Sequence, residues 1–277
     1  MPEVIGAPAR WWSVASATFI RDMWIALSYP VGFALTVGGS IFQIVGIFFL
    51  SEALGPDLAA PLDRYGGGYF GFAVIGVAMT AFMGVGLGGM SSRIREGQLM
   101  GTLELMLLSP NRLGLVMFSS SLWSHALAFI SLGFSFFVGI ALGMNVGQAN
   151  PWMASASLVL AVIAFNALGL LAASVVIVIK QGSPVTLLVG LASVLAGGVL
   201  YPTDVLPQWI EVIGQFLPLT HALELLRRSI LLGEGIGTLW GPFLALTGLS
   251  AVMLLAGLRA TTLAVRLAQT DGSLSQY

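Results

Sequence analysis

Residues 91 to 114 read SSRIREGQLMGTLELMLLSPNRLG, a short polar segment between two long apolar stretches. Tyr69–Met90 precedes it and Leu115–Leu142 follows it. Each stretch has the roughly 20 apolar residues that a helix needs to cross a bilayer core of about 30 Å. Three arginines and two glutamates in the connecting segment favour water over lipid. The sequence therefore predicts two membrane helices joined by a loop at one surface.

The composition of the 277-residue chain is that of a membrane protein, with 57% apolar and 8% charged residues. Soluble domains average about 25% charged residues. Further apolar stretches are Val31–Leu50, Met153–Ile179, Val185–Leu200 and Gly241–Leu263. We therefore expect an all-α membrane protein with six transmembrane helices, the fifth of them short. Without cysteine the chain has no disulfide or thiolate metal site. No basic block indicates nucleic-acid binding, and no metal site is expected.

The distribution of basic residues predicts that both termini are cytoplasmic. Eight basic residues then lie inside and three outside: Arg10, Arg21, Arg93, Arg95, Arg112, Lys180, Arg259 and Arg266 against Arg64, Arg227 and Arg228. We expect a cytoplasmic segment at residues 1–30, a six-span domain at 31–265 and a cytoplasmic tail at 266–277. The first span is expected to act as its own insertion signal, because no cleavable signal precedes it.

An amphipathic helix is predicted before the first span. One face carries Arg10, Ser13, Ala17, Arg21 and Ser28, and the other carries Trp12, Phe19, Met23 and Leu27. Such a helix lies in the plane of the headgroups. It is either a passive anchor or an element that relays force.

The loop after the second span is predicted to contain about two turns of helix. Gly101 ends the preceding structure, Thr102 can cap a new helix, and Pro110 stops it. One face of this helix carries the apolar residues Leu103, Met106 and Leu107. The only charged group on the helix is the carboxylate of Glu104. An exposed apolar face of this kind indicates a partner surface. In the alternative, the carboxylate pairs with Arg95 or Arg112 of the same loop.

This loop resembles the E-x-G-T-x-E…P pattern of type-2 ABC exporter permeases, with three residues more than the family pattern before Gly101. In that family the segment is the coupling helix, here about residues 101–110, which docks on the ATPase subunit. The residues that the resemblance places in ATPase coupling are Glu96, Gly97, Gly101, Thr102, Leu103, Glu104, Met106, Leu107, Ser109 and Pro110. The resemblance implies the type-2 ABC exporter permease fold in a bacterial cell (inner) membrane.

The motor of such an exporter must be a separate polypeptide. Lys180 is the only lysine of the chain, and it follows Ile179. A phosphate-binding loop requires a lysine after a glycine, so this chain has none. We expect no cofactor here and Mg-ATP on the partner. The resemblance implies two copies of an ABC ATPase subunit, and a second permease copy or a homologous permease, in membrane lipid. The implied substrate is a hydrophobic or amphipathic drug, antibiotic, lipid or lipid-linked glycan.

The segment before the last span, about residues 201–235, is divided by Pro202, Pro207 and Pro218. Its apolar residues predict two short amphipathic helices, with Trp209, Val212, Ile213 and Phe216 on the first and Leu219, Ala222, Leu223 and Leu226 on the second. The family resemblance implies re-entrant helices here, with an outer gate at Trp209, Phe216, Pro218 and His221; a static cap is the alternative. Arg227 and Arg228 are predicted to form an ion-pair cluster with Glu224, with a substrate site as the alternative.

Polar groups within the predicted spans are few, and the candidate substrate pathway is Asn166, Gln43 and His125. For His125 and Asn166, hydrogen-bonded packing is the alternative. Glycines four apart, at 84 and 88 and at 139 and 143, are expected to pack within the chain. Without a carboxylate deep in a span, a secondary transporter is disfavoured. Two histidines on opposite sides of the membrane disfavour an enzyme, and a non-transporting scaffold for envelope assembly stays an alternative.

Overall fold

The computed structural model describes residues 11–54, 60–66, 68–99, 113–179 and 183–270. Within these ranges the regular structure is helical and contains no strand. The α-helices in chain order are α1 (Trp11–Leu27), α2 (Pro30–Leu54), α3 (Tyr69–Leu99), α4 (Leu113–Ala141), α5 (Pro151–Ile179), α6 (Ser183–Ala196), α7 (Gln208–Gln215), α8 (Pro218–Leu231) and α9 (Ile236–Thr270). Short 3-10 helices lie before α3, at Ala60–Tyr65, and before α7, at Thr203–Val205.

Five helices in the described part of the chain, α2, α3, α4, α5 and α9, are long and apolar enough to cross a membrane. They contain five of the six predicted spans, which confirms the all-α membrane class. Several helices extend beyond the predicted spans, including α2, which ends at Leu54, and α9, which ends at Thr270. Helix α3 continues past Met90 to Leu99, and α9 begins at Ile236 rather than Gly241. The extension of α3 is polar, whereas the residues added at the start of α9, Ile236–Trp240, are mainly apolar.

The predicted fifth span, Val185–Leu200, is wrong at its C-terminal end. Helix α6 has 14 residues and ends at Ala196, which is shorter than the roughly 20 residues that a full crossing requires. The amide of Gly197 still donates to the carbonyl of Ser193 at 2.8 Å, and Gly198 then adopts a φ of +71°. Because a left-handed residue after the last turn ends a helix, the chain leaves α6 there.

Helix α5 lies at the centre of the bundle, where it packs against α3, α8 and α9. Its crossing with α3 is close enough to require glycine on both helices. A Cβ built on Gly169 would lie 2.1 Å from the carbonyl oxygen of Gly86. One built on Gly86 would lie 2.7 Å from the Cβ of Phe165, which is fully buried. Small residues thus let these two backbones approach, as is common between membrane helices.

The two glycine pairs singled out from the sequence differ in what they contact. A Cβ at Gly139 would lie 3.3 Å from the sulfur of Met144, so this glycine packs within the chain. Gly143 has a φ of +105° and forms the turn after α4. The expectation of intrachain packing is wrong for Gly84 and Gly88, since no described atom lies within 4 Å of a Cβ built on either.

The amphipathic helix is present as α1, but it is rotated from the predicted orientation. Its buried residues are Ala15 and Asp22, and Phe19 of the same face packs edge-on against Trp123 of α4 with 5.6 Å between ring centroids. Trp12 and Leu27, predicted to share the apolar face of Phe19, are exposed. The exposed surface of α1 thus carries large apolar side chains, which suits contact with lipid.

Candidate functional site

A cavity of about 460 Å³ lies between α2, α3 and α4, near the middle of all three helices. Its walls are mainly apolar, with Ile44, Val77 and Phe82 among them. Gln43, from the predicted substrate pathway, lines it together with hydroxyl-bearing residues of α2 and α4. No ionisable residue lies among its lining residues in the described part of the chain. The cavity is therefore a neutral compartment with hydrogen-bonding groups on its α2 and α4 walls.

The other two residues of the predicted pathway, His125 and Asn166, form a pair next to this cavity rather than lining it. The Nδ2 group of Asn166 lies 2.8 Å from the carbonyl of Val162 and 2.9 Å from Nε2 of His125. The Nδ1 atom of His125 lies 2.9 Å from the carbonyl of Ser121, where it must donate. With Nδ1 donating to this carbonyl, Nε2 is placed to accept from the amide of Asn166.

This pair connects two helices of the bundle to the cavity wall. His125 is on α4 and Asn166 on α5, and the ring of Phe82 packs edge-on against the imidazole with 6.1 Å between centroids. The Oδ1 atom of Asn166 is buried and has no hydrogen-bond partner within the described chain. The packing interpretation thus describes the contacts of His125 well, while Asn166 keeps an acceptor that its surroundings leave unused.

A second hollow, of about 650 Å³, lies between α3 and α6. Gly84 and Gly88 of α3 and Gly190 of α6 form part of its floor, with Leu187 and Leu191 beside them. Both leucines are at least half exposed. The absence of a side chain on the two α3 glycines makes this a groove that another helix could approach closely.

At the C-terminal end of α3, helix α1 contacts the residues that lead to the predicted coupling segment. The side chain of Asp22 on α1 is 7% exposed. It accepts hydrogen bonds from Arg21 at 2.9 Å and from Arg93 of α3 at 3.3 Å. Arg93 also lies 3.8 Å from Glu96. Asp22 therefore ties α1 to α3 three residues before the first predicted coupling residue.

The two predicted outer helices are present as α7 and α8, and their apolar faces are used differently. On α8, Leu219, Ala222, Leu223 and Leu226 are buried in the core. On α7, Trp209 and Phe216 of the predicted gate are about two-thirds exposed, at 67% and 68%. Pro218 is the first residue of α8, and Nε2 of His221 lies 2.8 Å from the carbonyl of Gln215. His221 thus connects α8 back to α7.

Arg227 was predicted to belong to an ion-pair cluster, but it pairs with backbone instead. The residue is 2% exposed. Its guanidinium donates to the carbonyls of Gly198 at 2.8 Å, Val199 at 2.7 Å and Phe72 at 3.2 Å. It also stacks on the ring of Phe72, with the guanidinium carbon 3.3 Å from the ring centroid. Arg227 thereby satisfies carbonyls after the last turn of α6, where positive charge is favourable.

Arg228 does form the predicted ion pair with Glu224, at 3.2 Å, and a second one with Glu234, at 2.6 Å. Glu224 also accepts a hydrogen bond from the hydroxyl of Tyr65. Burial by itself would raise the pKa of Glu234, but the hydrogen bonds from Arg228 and Thr238 and the positive charge of Arg228 together lower it. This cluster joins the segment before α3 to α8 and to the loop that follows it.

The sequence profile of the ABC-2 family transporter proteins matches residues 57–259, well over half of the chain. The chain belongs to the ABC-2 family. This confirms the resemblance to type-2 ABC permeases noted at the loop after the second span. A search of curated proteins found no match. The match runs from before α3 into α9, so the cavity walls on α3 and α4, the groove and the outer helices all lie within it.

ABC-2 membership makes this chain a membrane component of an ABC transporter, and such components associate with an ABC ATPase. Of the predicted coupling residues, Glu96 and Gly97 lie on the last turns of α3. Gly101, Thr102, Leu103, Glu104, Met106, Leu107, Ser109 and Pro110 lie outside the described residues. Their role in coupling stays a prediction.

Sequence reasoning missed one residue that matters in this ABC-2 protein and predicted the wrong partner for another. Asp22 was not singled out, although a carboxylate on an interfacial helix whose neighbours are mostly apolar is a signal that it has a partner. Arg227 was assigned the wrong partner. Its proximity to Glu224 in sequence suggested an ion pair, and no local pattern indicates that a guanidinium reaches carbonyls of another segment.

Proposed function

We propose that this chain is the permease subunit of an ABC exporter, which moves a hydrophobic or amphipathic substrate out across a bacterial cell membrane. Two permeases, identical or homologous, would pair with two ATPase subunits. ATP binding and hydrolysis on the partner would move the coupling helix of each permease. The observation that carries this proposal is the groove between α3 and α6, floored by Gly84 and Gly88 in a chain of the ABC-2 family.

The groove supports the proposal because it is a membrane-facing surface built for close approach. A lipid-facing helix gains nothing from glycine, which weakens a helix by about 1 kcal/mol relative to alanine. A Cβ built on Gly84 or Gly88 nevertheless has no described atom of another part of the chain within 4 Å. A second permease across this groove would use both glycines and enclose a path between the two subunits.

Force would reach this path through α3. The same helix carries the groove at its middle and Glu96 at its cytoplasmic end. A displacement of the coupling segment would therefore move the groove directly, and α1 would move with it through the contact between Asp22 and Arg93. This arrangement favours the force-relay role of α1 over that of a passive anchor.

Crosslinking in the cysteine-free chain tests the paired arrangement. Gly88→Cys should form a disulfide-linked permease dimer in membranes on mild oxidation, or a crosslink to a co-expressed homologous permease carrying its own cysteine. Phe137→Cys on α4, which is 69% exposed, is the matched control and should stay monomeric. Crosslinking at Phe137 but not at Gly88 would contradict the proposed interface.

Charge reversal tests the coupling. Glu104→Lys should abolish most of the permease-dependent stimulation of ATP hydrolysis in the reconstituted complex, because a hydrogen bond to a charged group is worth about 1.5–3 kcal/mol. Glu211→Lys on the outer helix α7 makes the same charge change away from the ATPase and should leave stimulation intact. Normal stimulation with Glu104→Lys would refute a role of this carboxylate in the contact.

A further inference from the structure

The cavity between α2, α3 and α4 contains a row of hydroxyl groups along one face of α4. Ser124, Ser131 and Ser135 all line it. They are seven and four residues apart, so they lie on the same side of the helix, over about 16 Å of its length. Gln43 faces them from α2, near the middle of that membrane helix. Thr36 and Ser40 of α2 also line the cavity, so polar side chains from two helices lie along one mainly apolar compartment.

These serines differ from several other serines in the membrane helices, although the buried Ser119 hydroxyl of α4 also has no hydrogen-bond partner among the described residues. A serine in such a helix commonly donates to the carbonyl four residues earlier, as Ser157, Ser193 and Ser250 do at 2.8, 2.8 and 2.6 Å. The hydroxyls of Ser124, Ser131 and Ser135 have no hydrogen-bond partner among the described residues. The Ser131 oxygen is buried, and Ser135 as a whole is 3% exposed.

Unused donors in an apolar membrane cavity are costly, because lipid offers them nothing in return. A molecule in the cavity that carries oxygen acceptors would satisfy them. The described residues that line the cavity include no ionisable side chain. A charged group on a bound ligand would therefore lose its hydration without gaining a partner of opposite charge. A volume of about 460 Å³ is within the range of pockets for drug-sized ligands.

We propose that this cavity is a binding site for an uncharged, oxygen-rich amphiphile, with ether, ester, carbonyl or hydroxyl oxygens along one side of an apolar body. The oxygens accept from the serines of α4, and the apolar body packs against Ile44, Val77 and Phe82. The site is separate from the groove between α3 and α6. It rests on the proposed function in naming the class of substrate that the exporter takes up from the membrane.

Photoaffinity labelling of the full chain in phosphatidylcholine nanodiscs tests the site. The probe is tetra(ethylene glycol) monododecyl ether with a diazirine in its alkyl chain, and mass spectrometry identifies the labelled residues. We expect labelling on the cavity faces of α2, α3 and α4. The unlabelled ether should compete, whereas dodecyltrimethylammonium and an alkane of equal length should compete at least about fivefold less well, since one net hydrogen bond changes affinity by about 2- to 13-fold.

Two sets of variants separate hydrogen bonding from shape. The triple change Ser124→Ala, Ser131→Ala and Ser135→Ala should weaken ether binding about fivefold or more and leave labelling by a diazirine alkane unchanged. The matched control replaces three serines that bond to their own helix: Ser157→Ala, Ser193→Ala and Ser250→Ala. It should bind the ether as the unmodified chain does. Ala128→Trp fills the cavity and should reduce labelling by both probes.

Three results would overturn the proposal. One is equal ether affinity in the cavity triple variant and the control. Another is labelling confined to lipid-facing residues such as Phe42. The third is stronger competition by phosphatidylcholine than by the ether, which would make the occupant a bilayer lipid. None of these measurements needs the ATPase or transport, so their outcome is independent of whether the chain is an exporter.

Discussion

The most direct test of the structure is to replace Arg227 by lysine, which keeps the positive charge and removes the planar fork. The guanidinium donates to carbonyls of Gly198, Val199 and Phe72 from a fully buried position. A lysine ammonium is a compact charge on a flexible stem and cannot reach all three in the same geometry. The change should therefore loosen the connection between α8, the end of α6 and the start of α3.

The magnitude follows from the hydrogen bonds that the ammonium group cannot make. Lysine would give up one or two of the three bonds, each worth about 1.5–3 kcal/mol because the donor is charged. The stacking of the guanidinium on Phe72 disappears as well, at about 0.5–2 kcal/mol. Since a lysine can recover part of the bonding by shifting, we expect a decrease of about 2–5 kcal/mol in the free energy of unfolding. That is a large fraction of the stability of a typical protein.

Arg228→Lys is the matched control, because it makes the same chemical change one residue away. The Arg228 side chain is 26% exposed and pairs with Glu224 and Glu234. Partly exposed ion pairs contribute about 0–1 kcal/mol, so this variant should be nearly neutral. The assay is unfolding of purified protein in mixed micelles titrated with sodium dodecyl sulfate. Equal destabilisation by the two variants would refute the argument that the backbone contacts of Arg227 hold the outer segment.

Three further predictions concern contacts in other parts of the molecule. Asp22→Asn should lower ATPase stimulation and transport several-fold in the reconstituted complex. Adding Arg93→Gln to this variant should lower them little further, because both changes remove the same ion pair, which is worth about 1 kcal/mol. Full activity of Asp22→Asn would make α1 a passive anchor. Asn166→Ala removes the donor to His125 and should cost about 1 kcal/mol of unfolding free energy, whereas an unchanged value would mean that the pair contributes nothing net. The pKa of Glu234 is lowered in the folded state, so its ionised carboxylate stabilises the fold. This stabilisation is complete at pH values above the normal pKa range of a carboxyl group, and it is lost as the pH falls through the folded-state pKa. Glu234→Gln should therefore be less stable than the unmodified chain at neutral pH and should approach it on acidification; a constant difference would show that this ionisation does not matter.

The two helices of the outer segment show which structural features a local sequence pattern can predict. Three prolines and the apolar spacing predicted two short helices, and α7 and α8 are both present. Their apolar faces looked alike in sequence, yet the face of α8 is buried and the face of α7 is exposed. Periodicity shows which residues share a face, and only the position of neighbouring helices shows whether that face meets protein or the surroundings.

For the predicted substrate pathway, too, the sequence identified residues whose contacts only the tertiary structure decided. Gln43, His125 and Asn166 could be singled out because polar groups in a membrane span are costly. The structure puts Gln43 in a cavity and joins His125 to Asn166 beside it. The serines of α4 were visible in the sequence, but their unused donors were not, since a serine can equally well bond to its own helix.

The sequence by itself determined the membrane class, the positions of five long helices and membership of the ABC-2 family, because apolar length and a short polar motif are local properties. The tertiary structure decided that α6 stops at Ala196, that Arg227 binds backbone, that Asp22 reaches Arg93, and that Gly84 faces an open groove. Each of these depends on residues far apart in the chain meeting in space. Helical periodicity carries no information about such meetings.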